Sequence, residues 1–201
     1  MNAISRLRRF RWILSGRLKI KKQIRENSAI GKIKIILGAG TTSYDGWIST
    51  DIPHFNILEE KDWHLFFHEK KIDNLLAEHV LEHLKDAEVE KVIELSSKYL
   101  KPGGTFRIAV PDGNHINPEY LKYISPPADG HQSIWNLGKL QRVLHRAGYE
   151  ANTLEYFTDD GIFKAIDFNF ENGIISRSKI KGYKNPGFAD YSSLIVDCRK
   201  I

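Results

Sequence analysis

Hydrophobic and polar positions along the chain change between the spacing of strands and the spacing of helices. Residues 32–35 alternate lysine with isoleucine and lead into the apolar pair Ile36-Leu37, which is typical of a strand entering the middle of a sheet. Similar apolar runs predict strands at Trp47-Ile48, Lys71–Ala77, Thr105–Val110, Tyr149–Phe157 and Tyr191–Cys198. Helical spacing predicts helices at Asn56–Phe67, Asp86–Leu100 and Trp135–Ala147. This alternation predicts an α/β domain with a mostly parallel sheet.

The connection after the first predicted strand is short. A glycine turn, Gly38-Ala39-Gly40, ends that strand, and the next apolar pair is soon followed by Asp51. The chain between the turn and Asp51 is too short for a regular helix and a strand, and Tyr44-Asp45-Gly46 has the composition of a turn. We therefore expect a loop in place of the first crossover helix of the sheet.

The glycine turn and Asp51 together suit a nucleoside ligand. Glycine allows positive φ and lets the backbone approach a ligand that a Cβ atom would keep away. A carboxylate at the tip of the second strand can accept hydrogen bonds from both hydroxyls of a ribose. NAD is not favoured, because its fingerprint requires glycine or alanine where Ser43 stands and an acid about 20 residues beyond the glycines. An ordinary strand exit is the alternative interpretation of the glycines.

Positive charge is concentrated at the start of the chain. Residues 1–28 contain nine lysines and arginines and a single acid, Glu26, in a chain of 201 residues with a net charge of +5. Apolar residues recur among them at helical spacing, which predicts a basic amphipathic segment, and residues 29–201 then form the main domain. Such a helix either contacts an anionic membrane or an acidic partner, or packs on the domain with its arginines in solvent. Its apolar runs are too interrupted for a signal peptide or a membrane span.

Cysteine and histidine limit the metal chemistry that the sequence predicts. Cys198 is the only cysteine, so no internal disulfide and no thiolate cluster can form, which favours a reducing compartment such as the cytoplasm. His79 and His83 have the spacing of two ligands on one helix face. Their order, H-V-L-E-H, differs from the zinc signature H-E-x-x-H, and the sequence offers no evident third ligand. We therefore expect no metal site.

Three further motifs identify a family resemblance. They are A-E-H-V-L-E-H-L at residues 77–84, L-K-P-G-G at residues 100–104 and R-I-A-V-P-D at residues 107–112. With the glycine turn and Asp51, they resemble class I S-adenosylmethionine-dependent methyltransferases, and more narrowly the predicted methyltransferase domains with a shortened glycine loop. The resemblance covers about Lys32 to Asp112 well and does not include the basic N-terminal segment. It implies a Rossmann-like sheet, S-adenosylmethionine as the cofactor and methyl transfer as the activity.

The resemblance also implies a set of cofactor contacts. The candidates are Gly38, Ala39, Gly40, Asp51, Asp62, Trp63, Glu78 and His79. The glycine turn would contact the methionine part of the cofactor, and Asp51 would bind its ribose. Glu78 and His79 follow a predicted strand at the edge where ligands bind in open α/β sheets, close to the methionine amine and the sulfonium. Asp62 and Trp63 are candidates for the adenine side, with a core position as the alternative for Trp63.

Methyl transfer from a sulfonium mainly requires an enzyme to align the acceptor and to exclude water. A hydroxyl acceptor would also need a base at the strand ends. Asp112 and His131 are the favoured catalytic candidates, because both border irregular stretches rich in proline and glycine that can line a cleft. His83 is a third candidate, with a residue that bonds the backbone at a helix start as the alternative.

The resemblance makes O-methylation of a carbohydrate or a related small molecule the working function. One alternative is an RNA-binding methyltransferase-like protein, using the basic N-terminal segment and the basic and aromatic residues at 163–190. That stretch is otherwise interpreted as an exposed hairpin at the sheet edge. Nucleic acid is the less favoured partner, and the N-P-E-Y sequence at 117–120 lies outside the position of the similar motif in amino-group and base methyltransferases, which counts against a DNA-adenine substrate. Another alternative is a non-catalytic protein that uses the fold to bind a partner.

Overall fold

A computed structural model describes residues 3–67, 72–184 and 191–201 of the chain. The α-helices are α1 Ala3–Ala29, α2 Glu60–Phe67, α3 Asp86–Tyr99, α4 Pro118–Ile124 and α5 Leu137–Arg146. The strands are β1 Lys34–Ile36, β2 Ile48–Ser49, β3 Ile72–Glu78, β4 Leu100–Pro111, β5 Tyr149–Phe157, β6 Phe163–Ala165 and β7 Ser193–Lys200. Short 3₁₀ helices lie at Leu81–His83 and Ala128–Gly130. Lys71 of the predicted strand Lys71–Ala77, and positions 185–190 of the basic and aromatic stretch, lie outside the described residues.

The strands form one sheet in the order β2-β1-β3-β4-β7-β5-β6. Neighbouring strands are parallel from β2 to β4, and β7 runs antiparallel to both β4 and β5. β6 is antiparallel to β5 at the edge. At the centre, Leu75 of β3 lies opposite Ile35 of β1 and Phe106 of β4. This arrangement confirms the predicted α/β class with a Rossmann-like sheet whose core is parallel.

The connection between β1 and β2, all of which the structure describes, contains no helix. Hydrogen bonds hold it against the strand ends, because Ala39 N donates to Thr50 O at 2.9 Å and Ser49 Oγ donates to Thr42 O at 2.7 Å. The buried hydroxyl of Thr50 donates to Ile36 O. The first crossover helix is therefore missing, as the sequence predicts.

Both faces of the sheet are covered. Leu75 belongs to a large apolar cluster built with α2, α3, α5 and the end of α1, whereas Leu76 belongs to a smaller cluster on the opposite face. Phe168 and Ile175, from the long segment between β6 and β7, complete the smaller cluster. Because solvent reaches neither face, β3 is apolar without interruption from Leu75 to Ala77, as expected for a central parallel strand.

The basic N-terminal segment lies in α1, and the two halves of this helix differ. Ile20 and Ile24 are buried in the main core, and the Arg17 guanidinium pairs with Asp62 at 2.9 Å. Exposed apolar side chains of the first half are Leu7, Phe10, Trp12 and Leu14. Among the described residues, no helix combines the length and the apolar character that crossing a membrane would require. The second half of α1 thus packs on the domain, while the first half leaves apolar surface exposed.

A buried arginine attaches the segment between β6 and β7 to the sheet. Arg107 of β4 is 1% exposed and donates two hydrogen bonds to Asp197 of β7, at 2.6 and 2.8 Å. It also donates to Asn169 O and Gly173 O, and its guanidinium lies 4.9 Å from the centre of the Phe168 ring. β5 and β6 form a hairpin at the sheet edge, but the described residues that follow β6 cross the face of the sheet.

Replacing Arg107 with methionine is expected to lower the free energy of unfolding by roughly 3 kcal/mol, because Asp197 would stay largely buried without its partner. Urea unfolding monitored by circular dichroism measures this change. Arg146→Met is the matched control, since the pair that Arg146 forms with Glu90 is exposed and should contribute less than about 1 kcal/mol. Equal losses in the two variants would contradict an anchoring role for Arg107.

Candidate active site

The carboxyl ends of β1 and β2 meet at the glycine turn. Gly40 N donates to Asp51 Oδ2 at 2.8 Å, and Ile52 N donates to Asp51 Oδ1 at 2.7 Å. Gly38 and Gly40 have φ values of 56° and 52°, in the left-handed region that glycine adopts without steric penalty. The structure therefore brings together the glycine turn and the acid that the sequence singles out.

Packing also requires glycine at position 38. A Cβ atom there would lie 2.7 Å from Val80 Cγ1 and 2.8 Å from Val80 Cγ2. Val80 follows β3, so the absence of a side chain lets the ends of β1 and β3 approach each other. A Cβ atom added at Gly40 would meet no atom within 4 Å, which leaves space for a ligand beside the turn.

A cavity of about 400 Å³, here called the apolar cavity, opens beside the turn. Its apolar wall is formed by Ile52, Phe55, Ile57, Leu58, Val80 and Leu84. Asp51, His79 and His83 add polar groups to the lining. This volume and this mixture of groups are typical of small-molecule sites. Sequence reasoning missed the wall residues, although the run of apolar positions directly after Asp51 was a usable signal.

Asp62 and Trp63 do not line the apolar cavity. Trp63 is fully buried in the main core and donates through Nε1 to Ile57 O at 2.8 Å. Asp62 is buried as well and pairs with Arg17 of α1. The structure thus leaves both side chains away from the glycine turn and supports the core alternative for Trp63. Apolar residues at 52–58, and not Asp62 and Trp63, line the cavity beside Asp51.

The chain leaves β3 through Glu78 and His79, which point in different directions. Glu78 Oε1 accepts a hydrogen bond from Arg177 N at 2.7 Å, so its carboxylate is held by the segment between β6 and β7. His79 has a φ of 54°, a left-handed conformation uncommon outside glycine, and its Nε2 lies 2.9 Å from Ser193 Oγ. His79 lines the apolar cavity beside Gly38, whereas Glu78 does not.

A second cavity, of about 230 Å³, shares His79 and His83 with the apolar cavity. It is here called the polar cavity, because its other lining side chains include Glu82, Tyr123, Asp129, His131, Arg177 and Tyr191. The two cavities adjoin at the carboxyl end of β3. An arrangement of this kind can hold two chemically different groups side by side.

Glu82 is a candidate residue that sequence reasoning missed. Its side chain is 2% exposed, and Oε1 lies 2.9 Å from His79 Nδ1. Neither carboxylate oxygen has a hydrogen bond of regular geometry among the residues that the structure describes, and Oε2 lacks even a contact of the kind that Oε1 makes with His79. Burial raises the pKa of Glu82, but the neighbouring His79 imidazole, with smaller effects of the backbone and His83, lowers this pKa by more, so it lies below its usual value. The second acid of A-E-H-V-L-E-H-L was the available signal.

His83 and His131 lie together in the polar cavity, with ring centres 5.0 Å apart. Nδ1 of His131 lies 2.8 Å from Ile124 O, and Nδ1 of His83 lies 3.3 Å from Gly130 O. One ring nitrogen of each histidine and one carboxylate oxygen of Glu82 lie within 4.8 Å of one another. The structure therefore brings together two of the three catalytic candidates and adds a buried carboxylate to them.

Asp112, the third catalytic candidate, lies apart from this cluster. Its side chain is fully buried, with Oδ1 accepting from Asn114 N at 2.9 Å and Oδ2 accepting from Phe157 N at 2.6 Å. Burial raises the pKa of Asp112 to about 6, because these two backbone hydrogen bonds only partly offset it. Asp112 lines neither the apolar nor the polar cavity, and its carboxylate joins the ends of β4 and β5.

Fold and site together define the class of the protein. A mostly parallel sheet with β7 inserted antiparallel, and a glycine turn bonded to an acid, are features of class I S-adenosylmethionine-dependent methyltransferases. S-adenosylmethionine has no phosphate, so a short turn, an acid for the ribose and an apolar slot are sufficient to bind it. Asp51, the open space at Gly40 and the apolar cavity meet these three requirements.

Comparisons with known proteins agree with this methyltransferase class. A model of the methyltransferase-domain family matches residues 28–154, so the chain belongs to that family. No curated protein matches the sequence.

Two solved structures illustrate the likeness of the fold. A methyltransferase dependent on S-adenosylmethionine from Archaeoglobus fulgidus has a TM-score of 0.50 and 14% identity, covering 92% of this chain and 94% of that one. The CurJ carbon methyltransferase has a TM-score of 0.52 and 14% identity. The match covers 85% of this chain and about half, 49%, of the other. The predicted class I fold, the methyltransferase class and the cofactor S-adenosylmethionine are confirmed.

The raised pKa of Asp112 gives a pH dependence that can be measured. A carboxyl whose folded-state pKa is about 6 contributes stability below its unfolded pKa of about 3.9, and that contribution is lost as the pH rises through 6. Asparagine carries no charge but can accept only one of the two backbone hydrogen bonds, so Asp112→Asn should be less stable than the wild type near pH 4 and should gain on it by up to about 3 kcal/mol as the pH rises to 7. Urea unfolding at each pH gives the difference.

Asp160→Asn is the control for this experiment. The hydrogen bond from Thr158 lowers the pKa of Asp160, so this variant should not gain on the wild type over the same pH range. If wild type and Asp112→Asn differ by a constant amount from pH 4 to pH 7, Asp112 is not the buried acid described above.

Proposed function

We propose that this S-adenosylmethionine-dependent methyltransferase transfers a methyl group to a hydroxyl oxygen of a carbohydrate or a related small molecule. The observation that carries the proposal is the junction of the two cavities at His79 and His83. An apolar cavity beside an acid suits the adenosine group, and an adjoining polar cavity suits a hydroxylated acceptor. Methyl transfer requires the two reactants to be adjacent, aligned and shielded from water.

We assign the cofactor contacts as follows. Asp51 would accept hydrogen bonds from the ribose hydroxyls, and the glycine turn would contact the methionine part beside the open space at Gly40. The apolar residues at 52–58 would surround the adenine, a role that this proposal transfers to them from Asp62 and Trp63. The bound cofactor supplies an electrophilic methyl group on a sulfonium.

The two residues at the end of β3 are given separate roles. His79 lines both cavities, so we place it next to the sulfonium, at the border between cofactor and acceptor. Glu78 would act indirectly, because its carboxylate binds Arg177 N and so holds in place the segment that supplies Arg177 to the polar cavity. This assignment keeps the predicted importance of both residues and changes how Glu78 exerts it.

The polar cavity has the chemistry that carbohydrate binding requires. Arg177 and Asp129 offer a charged donor and a charged acceptor, and Tyr191 offers an aromatic ring with a hydroxyl. Sugar rings combine hydroxyls, which need such hydrogen-bonding groups, with C–H faces that pack on aromatic rings. These features support a sugar or a similar polyhydroxylated compound as the acceptor.

Two of the three catalytic candidates are kept in this proposal. His83 and His131 would promote loss of the proton from the acceptor hydroxyl, because both line the polar cavity and histidine ionises near neutral pH. Asp112 is not given this role, because backbone amides occupy both of its carboxylate oxygens in the interior.

We further propose that the protein works in the cytoplasm and touches anionic membranes through the first half of α1. Exposed apolar side chains there lie among four arginines, at positions 6, 8, 9 and 11. Arginine attracts anionic headgroups, and apolar side chains can enter the headgroup boundary. RNA binding has less support, because Phe168 of the basic and aromatic stretch is buried against Arg107 and offers no stacking surface.

The cofactor assignment predicts that Asp51→Ala weakens binding of S-adenosylmethionine at least tenfold, or about 1.4 kcal/mol, because the acceptor for the ribose hydroxyls is lost. Calorimetric titration of the full chain measures the affinity. S-adenosylhomocysteine should bind the wild type as well, and NAD should not.

Two further variants control this titration. Asp51→Asn keeps an oxygen that can accept from Gly40 N and should lose less affinity, and Glu94→Ala, at an exposed position of α3, should lose none. Thermal unfolding of each variant reports whether the turn is intact. Unchanged affinity in a folded Asp51→Ala protein would overturn the ribose assignment, and a wild type that binds no cofactor at millimolar concentration would overturn the proposed function.

The membrane contact predicts that the double variant Leu7→Ser/Phe10→Ser sediments severalfold less with vesicles containing phosphatidylserine, because apolar area is lost from α1. The control is Ile162→Ser/Ile166→Ser, which removes two side chains that are each 50% exposed on another surface. Sedimentation that is equal for both double variants, or that does not depend on anionic lipid, would refute the contact.

A further inference from the structure

The polar cavity contains a cluster that methyl transfer by itself does not require. We propose that Glu82, His83 and His131 form a binding site for a divalent transition-metal ion, with zinc as the best match. Two imidazoles and one carboxylate are a ligand set that binds zinc in enzymes and leaves a fourth position open to water or substrate. All three residues line the polar cavity, so an ion bound there would face the space assigned to the acceptor.

The ligand atoms already lie close to the spacing that zinc requires. A ring nitrogen from each histidine and an oxygen of Glu82 lie within 4.8 Å of one another. Ligand atoms around tetrahedral zinc lie roughly 3.3 Å apart, given bond lengths of about 2.0–2.2 Å. Small side-chain rotations cover a difference of this size. The three ligand atoms therefore need only a small rearrangement to coordinate one ion.

Backbone hydrogen bonds hold the two ligand-bearing segments together. Gln132 N and Ser133 N both donate to Glu82 O, at 2.7 and 3.1 Å. Gln132 Nε2 donates to His83 O at 2.6 Å. The segment that follows His131 is thus paired with the 3₁₀ helix that carries the other two ligands. A site built on segments fixed in this way can position its ligands without reorganising the backbone.

Both histidines are oriented in the way that metal ligands usually are. His131 Nδ1 lies 2.8 Å from Ile124 O, and His83 Nδ1 lies 3.3 Å from Gly130 O. A carbonyl oxygen only accepts, so a hydrogen bond at Nδ1 places a proton there and leaves Nε2 as the nitrogen that can bind a metal ion. Metal-binding histidines almost always have their second nitrogen bonded in this way, which fixes the tautomer and the ring orientation.

Glu82 supplies an independent reason for a cation. Its buried carboxylate has an Oε2 without a hydrogen-bond partner among the described residues. Burial of an unpaired carboxylate oxygen is costly, and a coordinated cation removes that cost. His79 contacts only the other oxygen, Oε1, and is itself held at Nε2 by Ser193 Oγ. His79 would therefore support Glu82 from outside the ligand set, as second neighbours of metals commonly do.

A bound cation would change the role of the two histidines in the proposed reaction. They would hold the ion, the ion would lower the pKa of an acceptor hydroxyl near it, and the proton would pass to solvent water in the cavity instead of to a histidine. This consequence rests on the proposed methyl transfer, whereas metal binding does not. The order H-V-L-E-H hid the site, because its third ligand comes from His131 and its carboxylate lies between the two histidines of the motif in sequence.

The test is zinc binding by the untagged full chain. After dialysis against a chelator, calorimetric titration with zinc chloride should show about one ion per chain, and cobalt(II) should give the absorption bands of a tetrahedral site. Glu82→Gln and His131→Ala should each weaken zinc binding by at least tenfold. His145→Ala, which removes an exposed histidine from α5, should leave it unchanged. Magnesium chloride in a parallel titration should not compete, since it prefers oxygen ligands.

The outcomes separate clearly. Absence of stoichiometric zinc binding overturns the proposal, and so does binding that Glu82→Gln and His131→Ala leave unchanged. Thermal unfolding identifies any variant that fails to fold, and Glu82→Gln, which is nearly isosteric, remains informative if His131→Ala does not fold. S-adenosylmethionine is titrated into the same samples, and His131→Ala should keep its cofactor affinity because His131 does not line the apolar cavity. Zinc binding without cofactor binding would refute the proposed function alone, and the reverse result would refute the metal site alone.

Discussion

The left-handed backbone at His79 is the constraint on which the site depends. A residue other than glycine holds this conformation at a cost of about 1–3 kcal/mol, so its surroundings must stabilise it. His79 N donates to Ala109 O on the neighbouring strand, and the ring is held by Ser193 on the next one. The bend leaves Glu78 facing the segment that covers the sheet and directs the following residues, including Glu82, into the polar cavity. One backbone angle thus separates a carboxylate bound by the covering segment from one that lines the polar cavity four residues later.

The sequence is sufficient for the elements and for the part of the site that is local. Strands buried on both faces need mostly apolar residues, so β3, apolar from Leu75 to Ala77, and β4, apolar from Phe106 to Val110 except for Arg107, stand out from the amphipathic helices around them. The glycine turn and Asp51 are joined by one short loop between adjacent parallel strands, so their proximity follows from spacing alone. The missing crossover helix is predictable for the same reason, because the chain available between the strands cannot contain one.

The remainder of the site depends on contacts between distant segments that carry no periodic signal. Asp62 looks available in the sequence, but Arg17 of α1 pairs with it across 45 positions. Asp112 and His131 both border irregular stretches, yet the backbone amides of Asn114 and Phe157 enclose the first, while backbone pairing with Glu82 brings the second to the cavity. Such pairing depends on how the loops pack against the folded sheet. The motifs therefore indicate the edge of the sheet at which the two cavities lie, but they do not show which side chains line them.

The helix α1 is a rigid connection between two surfaces. Its second half lines a cavity of about 330 Å³ against the glycine turn, with Lys19 and Gln23 on one wall and Thr41 on the other. Phe10 is an exposed apolar side chain of the first half. It lies about 15 Å along the helix axis from Ile20, which lines that cavity, because an α-helix rises about 1.5 Å per residue. Because the helix is continuous, its length sets the distance between this apolar surface and the glycine turn. A contact made by Phe10 and its neighbours would therefore hold the glycine turn at a fixed distance from the contacting surface.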